Sequence, residues 1–303
     1  MIVIANARRA APTVSRATTF TVAGAAADAM ASAAGTAPGI SRAEFERFRD
    51  LLHRVTGIHL SDAKQTLLVG RLSKRLRELR LASFGDYFGY LNSGQDPDEL
   101  QRMVDLMTTN ETYFFREPGH FDFLRRLARE HPASQALRVW SAASSTGEEA
   151  YTTCMVLADE RGIGGRWSVL GSDISHTVLQ VARAGRYELQ RTRGLPDEYL
   201  RKYCLKGVRS QEGSFVIDKR LRAHTEFIAL NLMQPAPDIG PFELIFLRNV
   251  MIYFDQPTKR RVVEHLTQRL APGGHLVVGH SETLSGLSET LRAVRPTIYR
   301  RST

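Results

Sequence analysis

The residues best suited to chemistry follow directly after one apolar run, Leu244-Ile245-Phe246-Leu247. This run has the length and composition of a strand buried on both faces. Arg248, Asn249 and Tyr253 crowd its carboxyl end. Ligands of open α/β sheets bind just beyond the carboxyl ends of the strands. We therefore predict a central strand that runs into an active site, with Asp255 starting the next helix; the alternative is a core strand that ends in an ordinary polar turn.

A second candidate site lies in the segment SAASSTGEEA, residues 141–150. A turn from strand to helix offers free N–H groups and a helix dipole to an anion. Here, however, Glu148 and Glu149 would repel a pyrophosphate. The GxGxxG spacing of dinucleotide-binding turns is also absent. Asp173, at the end of the next predicted strand, is placed to accept hydrogen bonds from ribose hydroxyls. A nucleoside with a cationic tail, such as S-adenosylmethionine, fits both features. The alternative for the glutamate pair is simple complementation of the helix dipole.

The elements that position these residues alternate between strand and helix from Leu137 onward, which is typical of a mostly parallel α/β sheet. The interval 186–224 breaks the alternation, with helical character near Asp197–Cys204 and strand character in Gly207–Ile217, and we interpret it as a functional insertion. The predicted strands are 137–143, 167–175, 225–232, 242–247 and 275–279, with an edge strand in 293–301.

Upstream of the sheet, apolar residues recur at helical spacing over residues 41–107, which predicts a small all-helical domain. Ser41 and Glu44 form a capping-box pattern at its start. Residues 108–136 are interpreted as a linker that carries the unusual segment TTNETYFFREP, 108–118. Residues 1–39 are rich in Ala, Ser and Thr and predict a flexible tail.

The second helix of this domain, predicted over residues 61–80, is the most basic feature of the chain. Between Lys64 and Arg80, six basic residues stand against the single acid Glu78, a net charge of +5. The run is interpreted either as a solvated helix face or as a docking surface for an acidic partner. Its basic residues are Lys64, Arg71, Lys74, Arg75, Arg77 and Arg80.

Bulk properties restrict the class of protein. The 303 residues carry a formal charge of +9, which indicates an acidic partner without naming it. No apolar run approaches the roughly 18–20 residues that span a bilayer, so no membrane insertion is predicted. The two cysteines, Cys154 and Cys204, suggest neither a disulfide framework nor a zinc site, so we expect a cytoplasmic protein without a bound metal.

Five motifs in this order, TTNETYFFRE, WSAASSTGEEA, LGSDIS, ALNL and FLRNVMIYFD, resemble those of the CheR family of chemoreceptor glutamate methyltransferases over residues 41–300. The resemblance implies a Rossmann-like methyltransferase sheet in residues 137–303, a helical N-terminal domain, and an inserted β-subdomain at about 186–224. It implies S-adenosylmethionine as cofactor and the acidic helical bundle of a chemoreceptor's cytoplasmic domain as partner. The protein would then act at receptor arrays on the inner face of the membrane, and we expect a monomer.

The resemblance also assigns roles to matching residues. The residues implied to contact the cofactor are Asn110, Thr112, Arg116, Glu148, Asp173, Asn231, Leu232, Arg248 and Asn249. The basic second helix would meet the receptor. Relatives that dock a receptor peptide are expected to have a glycine-rich turn in the β-subdomain. This chain instead reads GVRSQEG at 207–213, so the resemblance does not extend to peptide docking.

The chemistry of this reaction agrees with the residues available. A glutamate carboxylate, with a pKa near ~4.3, is already ionised at neutral pH and needs no general base. It needs orientation and removal of water, and we predict that Arg116 and Tyr253 supply the orienting hydrogen bonds.

Two alternatives remain open at this point. One is a nucleic-acid methyltransferase, suggested by the charge of +9; the sequence shows no aromatic stacking platform, and we expect no nucleic-acid partner. The other is a non-catalytic adaptor that binds cofactor or receptor. His280, after the last central strand, could line the pocket or be structural.

Overall fold

The computed structural model describes residues 39–302. The tail predicted over residues 1–39 lies, except for Gly39, outside the described residues. Within the described range, no helix is both long and apolar enough to cross a bilayer.

The N-terminal part of this range is helical, and its first helix starts where the capping pattern predicts. The Ser41 hydroxyl accepts a hydrogen bond from the Glu44 N–H, and the Glu44 carboxylate accepts one from the Ser41 N–H. Gly57 ends this helix in the left-handed conformation, with φ 76°. The four helices are α1 Arg42–Thr56, α2 Gln65–Glu78, α3 Phe84–Asn92 and α4 Glu99–Met107.

The helical domain also contains a buried carboxylate, that of Glu99. The Glu99 side chain is 1% exposed, and it accepts hydrogen bonds from Arg75 Nε at 2.9 Å and from the Tyr87 hydroxyl at 2.9 Å. Burial opposes ionisation of Glu99, yet these donors together lower its pKa. Glu99 of α4 therefore joins α4 to Arg75 of α2 and to Tyr87 of α3.

The remainder of the chain is an α/β unit with a seven-stranded sheet in the order β6-β2-β1-β7-β8-β10-β9. The first five strands in this order run parallel, and β10 is antiparallel to both of its neighbours. The strands are β1 Leu137–Ser141, β2 Trp167–Asp173, β6 Thr225–Ala229, β7 Phe242–Leu247, β8 Leu270–Val278, β9 Leu291–Arg295 and β10 Ile298–Arg301.

Helices cover both faces of this sheet, and β1 and β7 lie side by side although much of the chain separates them. Such a neighbouring pair is the switch point at which doubly wound sheets bind ligands. The large helices of this unit are α5 Gly119–Glu130, α6 Glu148–Arg161, α7 His176–Ala184 and α10 Gln256–Thr267.

An antiparallel three-stranded sheet, in the order β3-β5-β4, fills the predicted insertion. Tyr187 in its first strand donates a hydrogen bond to the Thr146 carbonyl at 2.7 Å, which joins this β-subdomain to the turn after β1. The elements are β3 Arg186–Glu188, α8 Asp197–Tyr203, β4 Cys204–Lys206, β5 Ser214–Ile217 and the short α9 Lys219–Arg222.

Two sequence-based interpretations differ from the structure, and one predicted boundary is confirmed. The region interpreted as a linker contains the whole of α5, whose residues Phe121 and Leu124 are buried in the sheet core. The edge strand predicted in 293–301 is a hairpin of β9 and β10, turning at Thr297 with φ 62°. Asp255 caps α10 as predicted, accepting a hydrogen bond from the Thr258 N–H.

Replacing Glu99 tests the role of the buried carboxylate. Glu99→Ala leaves Arg75 and Tyr87 without their acceptor, so we expect a loss of about 3 kcal/mol in the free energy of unfolding. Glu78→Ala removes the exposed partner of the same arginine and should cost less than about 0.5 kcal/mol. Urea unfolding of both variants measures the difference, and equal losses would contradict this role.

Candidate active site

A cleft of about 870 Å³, counting space open to solvent, lies at the carboxyl ends of the central parallel strands. It is bounded on one side by the sheet and on the other by the segment 108–117, which we call the strap. The loops after β1, β2, β6 and β7 all reach it, which is the arrangement expected at a switch point. The lining residues on which the site depends are Asn110, Thr112, Arg116, Glu149, Asp173, Leu230, Leu232, Arg248, Asn249 and Tyr253.

Arg248, directly after β7, is the most buried ionic group of this cleft. Its side chain is 2% exposed and its guanidinium contacts Glu149 Oε2 at 2.8 Å and Glu117 Oε2 at 3.1 Å. It also donates to the Arg116 carbonyl and lies over the Phe121 ring. Although burial opposes ionisation, Arg248 lowers the pKa of the Glu117 carboxyl. Arg248 thus joins β7, α6 and the end of the strap.

A buried carboxylate holds the loop after β7 in shape. Asn249 has a left-handed backbone, with φ 58°. Glu282 accepts hydrogen bonds from the backbone N–H groups of Asn249, Met251 and Gly279, at 2.7–2.8 Å. A Cβ on Gly279 would lie 2.6 Å from the Asn249 side-chain nitrogen, so this position requires glycine. Glu282 was not among the residues predicted from the sequence.

Hydrogen bonds from two different elements fix the first three residues of the strap. Arg71 of α2 donates from Nη1 to the Thr108 carbonyl at 2.9 Å and from Nη2 to the Thr109 hydroxyl at 2.7 Å. Further along, the Ser145 hydroxyl donates to the Asn110 carbonyl at 2.8 Å. The strap is therefore positioned by the basic helix on one side and by the turn after β1 on the other.

The two glutamates after Gly147 have different environments. Glu148 is fully buried and does not line the cleft: it accepts a hydrogen bond from the Thr146 hydroxyl at 2.6 Å and pairs with Arg191 of the β-subdomain. Glu149 lines the cleft and accepts hydrogen bonds from Ser141 and Arg248. The structure therefore places Glu149 where the sequence analysis placed Glu148.

Asp173 lies at the end of β2, on the floor of the cleft. Its two oxygens accept hydrogen bonds from the Ser145 and Ser175 N–H groups, each at 2.9 Å. Burial raises its pKa, and these N–H groups partly offset that shift. Each oxygen keeps a second lone pair, so the carboxylate can still accept from a ligand hydroxyl.

Asn231 and Leu232, which follow β6, have different roles in the structure. The Asn231 side chain does not line the cleft, because its amide donates to the Val55 carbonyl of α1 at 2.7 Å. Leu232 does line it, together with Leu230, and both offer an apolar surface to a flat ring. Asn231 thus joins the helical domain to the sheet.

Arg116 and Tyr253 both line the cleft. Arg116 Nη1 donates to the Glu111 carbonyl at 3.0 Å, and no other nitrogen of this guanidinium has a partner among residues 39–302. The Tyr253 hydroxyl likewise makes no hydrogen bond within that range, while its carbonyl accepts from the His59 N–H. Both side chains can therefore bind an anion at the opening.

The six basic residues of the second helix also divide into two groups. Arg71 and Arg75 are partly buried and bind within the protein, as described above, which makes them poor candidates for direct docking. The other four are exposed. These are Lys64, Lys74, Arg77 and Arg80, which we call the basic face.

Two further candidate residues, His280 and Cys154, lie outside the cleft. His280 does not line it; the ring lies 5.0 Å from that of His120, centroid to centroid. Cys154 is buried in the core of the sheet, and burial raises the pKa of its thiol to about 12.

These residues fit a nucleoside with a cationic tail. Asp173 can bind the ribose, Leu230 and Leu232 can cover an adenine, and the Glu149 carboxylate can face a positive group. A sheet of this topology with such a cleft defines an α/β methyltransferase that uses S-adenosylmethionine.

Comparison with known proteins agrees. Residues 110–300 match the family model described as CheR methyltransferase, SAM binding domain, and residues 43–108 match the CheR methyltransferase all-alpha domain. The chain is 41% identical over 262 residues to the chemotaxis protein methyltransferase of Escherichia coli, covering 86% of this chain and 91% of that protein. It is 40% identical to chemotaxis protein methyltransferase 2 of Pseudomonas aeruginosa, covering 86% and 93%. The chain belongs to the CheR methyltransferase family, which confirms the predicted family, fold and cofactor.

The different environments of the two glutamates yield a test. Glu149→Gln removes the negative charge that faces the cleft, so we expect the affinity for S-adenosylhomocysteine to fall about tenfold or more. Glu148→Gln, a matched change one residue away, should alter this affinity less than about threefold. Isothermal titration calorimetry with S-adenosylhomocysteine measures both. A larger loss in the Glu148 variant would contradict the assignment.

Proposed function

We propose that this protein methylates glutamate side chains on the cytoplasmic helices of a chemoreceptor, forming glutamate 5-O-methyl esters and S-adenosylhomocysteine during sensory adaptation. The observation that carries the proposal is the pair Arg116 and Tyr253, which line a cleft suited to S-adenosylmethionine and keep donors that bind nothing else within residues 39–302. A planar carboxylate is the anion that a guanidinium binds best, because two N–H groups can donate in parallel.

S-adenosylmethionine supplies an electrophilic methyl group when it is bound. The chain's own residues then have to orient the attacking carboxylate and exclude water. Arg116 would hold the carboxylate through Nη2, the terminal nitrogen that does not bind the Glu111 carbonyl. The Tyr253 hydroxyl would donate one further hydrogen bond. Holding a reactant in line can supply several kcal/mol of the barrier.

The remaining cleft residues would bind the cofactor. Asp173 would accept from the ribose hydroxyls, and Glu149 would face the ammonium and sulfonium. Asn110 and Thr112 of the strap would cover the cofactor, while Arg248 and Asn249 form the wall opposite. Glu148 and Asn231 would act indirectly, through the β-subdomain and through α1.

The substrate would approach along the basic face. Arg71 of the same helix holds the strap that borders the cleft, so an acidic receptor helix lying on this helix would be close to the opening. Complementary charge would accelerate encounter with the receptor and make it sensitive to salt. We propose that the protein acts on receptor arrays at the inner membrane surface as a monomer.

Transfer of a labelled methyl group from S-adenosylmethionine to purified receptor cytoplasmic fragments tests the proposal directly. We expect label on glutamates as a base-labile ester, and none on RNA or DNA. Label on nucleic acid alone would favour the nucleic-acid methyltransferase, and cofactor binding without any transfer would favour the adaptor.

Arg116 provides a sharper test of the mechanism. Arg116→Ala should lower kcat on the order of 100-fold, because the nucleophile loses its orienting group, while the affinity for S-adenosylhomocysteine changes less than about threefold. Arg116 and Arg193 both lie over the Tyr113 ring, each 5.8 Å from its centroid. Arg193 does not line the cleft, so Arg193→Ala is the matched control. If Arg116→Ala abolished cofactor binding instead, Arg116 would be a cofactor ligand.

Charge reversal tests the basic face. Lys74→Glu with Arg77→Glu should raise KM for a receptor fragment about tenfold or more at low salt, with a smaller effect at high salt and little change in kcat. Arg292→Glu with Arg295→Glu, on the exposed edge strand β9, makes the same change of charge elsewhere. Equal effects of the two double variants would show that only the net charge matters.

A further inference from the structure

Three side chains that would contact neither the cofactor nor the methyl acceptor lie close together next to Arg248. Glu117 ends the strap segment, His120 lies in the first turn of α5, and His280 follows β8. One donor atom from each lies within 4.8 Å of the other two. The His120 Nδ1 to Glu117 Oε2 distance is 3.4 Å, and the His280 Nε2 to Glu117 Oε2 distance is 3.9 Å.

The hydrogen bonds around His120 leave a lone pair aimed at this point. The Thr297 hydroxyl donates to the Pro296 carbonyl at 2.6 Å, so its oxygen acts as the acceptor toward His120 Nε2 at 2.8 Å. His120 Nε2 then carries the ring proton, and Nδ1 is unprotonated in the neutral ring. Nδ1 has no hydrogen-bond partner, and the side chain is 4% exposed.

A lone pair that faces a carboxylate oxygen at 3.4 Å is unfavourable unless a cation lies between them. Arg248 does not supply that cation, because its single positive charge is shared between Glu117 and Glu149. The three groups together have a net charge of −1. A divalent ion is therefore compatible with the local charge, and Glu117 can bind it with the lone pair that Arg248 does not use.

The geometry suits a small transition-metal ion. Bonds of about 2.1 Å in a tetrahedral site place the ligand atoms roughly 3.4 Å apart, close to the observed separation of His120 Nδ1 and Glu117 Oε2. His280 Nε2 has to approach Glu117 Oε2 by about half an ångström, and the His280 side chain is 62% exposed and able to move. Two imidazoles and one carboxylate, with a fourth position for water, is a set that Zn²⁺ accepts.

We propose that Glu117, His120 and His280 bind a divalent transition metal of the Zn²⁺ class. The ion would join the beginning of α5 to the loop after β8, next to Arg248. It would therefore hold the strap segment against the wall formed by β7 and β8. This role is structural and does not depend on the identity of the methyl acceptor.

Calorimetric titration of the full chain with ZnCl₂, after removal of any polyhistidine tag and treatment with a chelator, tests the site. We expect one ion per chain with a Kd in the micromolar range or tighter, an increase in Tm, and a visible Co²⁺ spectrum of tetrahedral type. His280→Ala should weaken binding at least about tenfold and abolish the increase in Tm; since His280 is exposed, the fold should persist.

His176→Ala is the matched control, since this histidine is exposed at the start of α7 and lies outside the cluster. It should bind Zn²⁺ as the unchanged protein does. Absence of saturable binding below about 1 mM, or equal affinity in the His280 variant, would overturn the proposal and leave a hydrogen-bonded histidine–carboxylate pair.

Discussion

The site depends on one buried ionic contact, that of Arg248 with Glu149 and Glu117. Each partner comes from a different element: the end of β7, the start of α6 and the end of the strap. Burying these charges costs desolvation free energy that the ion pairs at best offset, so the contact is better understood as fixing geometry than as adding stability. In our account it keeps the two walls of the cleft at the distance that a nucleoside requires.

The strap, which Arg248 contacts at its end, also connects the helical domain to the cleft. The strap continues from α4, and Arg71 of the basic helix fixes its first residues. Asn231 and the pair of His53 with Asp255, 3.0 Å apart, fasten α1 to the loops at the carboxyl ends of the strands. A receptor helix lying on the basic face would therefore contact the same helix that positions the strap.

Local patterns predicted much of this structure, because caps and apolar runs act within a few residues. Asp255 and the central strand before it are examples. Two features could not be predicted from such local patterns. Glu148 and Glu149 are neighbours about 100° apart around a helix, so only packing decides which faces the cleft. Arg71 and Arg75 resemble their exposed neighbours in sequence, and their partners are distant along the chain. By contrast, the helical spacing of Phe121 and Leu124 was a usable signal for α5 within the predicted linker.

A crystal structure of the protein with S-adenosylhomocysteine tests the central claim most directly. We expect the ribose hydroxyls to bind Asp173, the amino group to lie within hydrogen-bonding distance of Glu149, and the sulfur to face the opening lined by Arg116 and Tyr253. A nucleoside bound elsewhere, or a sulfur pointing away from that opening, would contradict it.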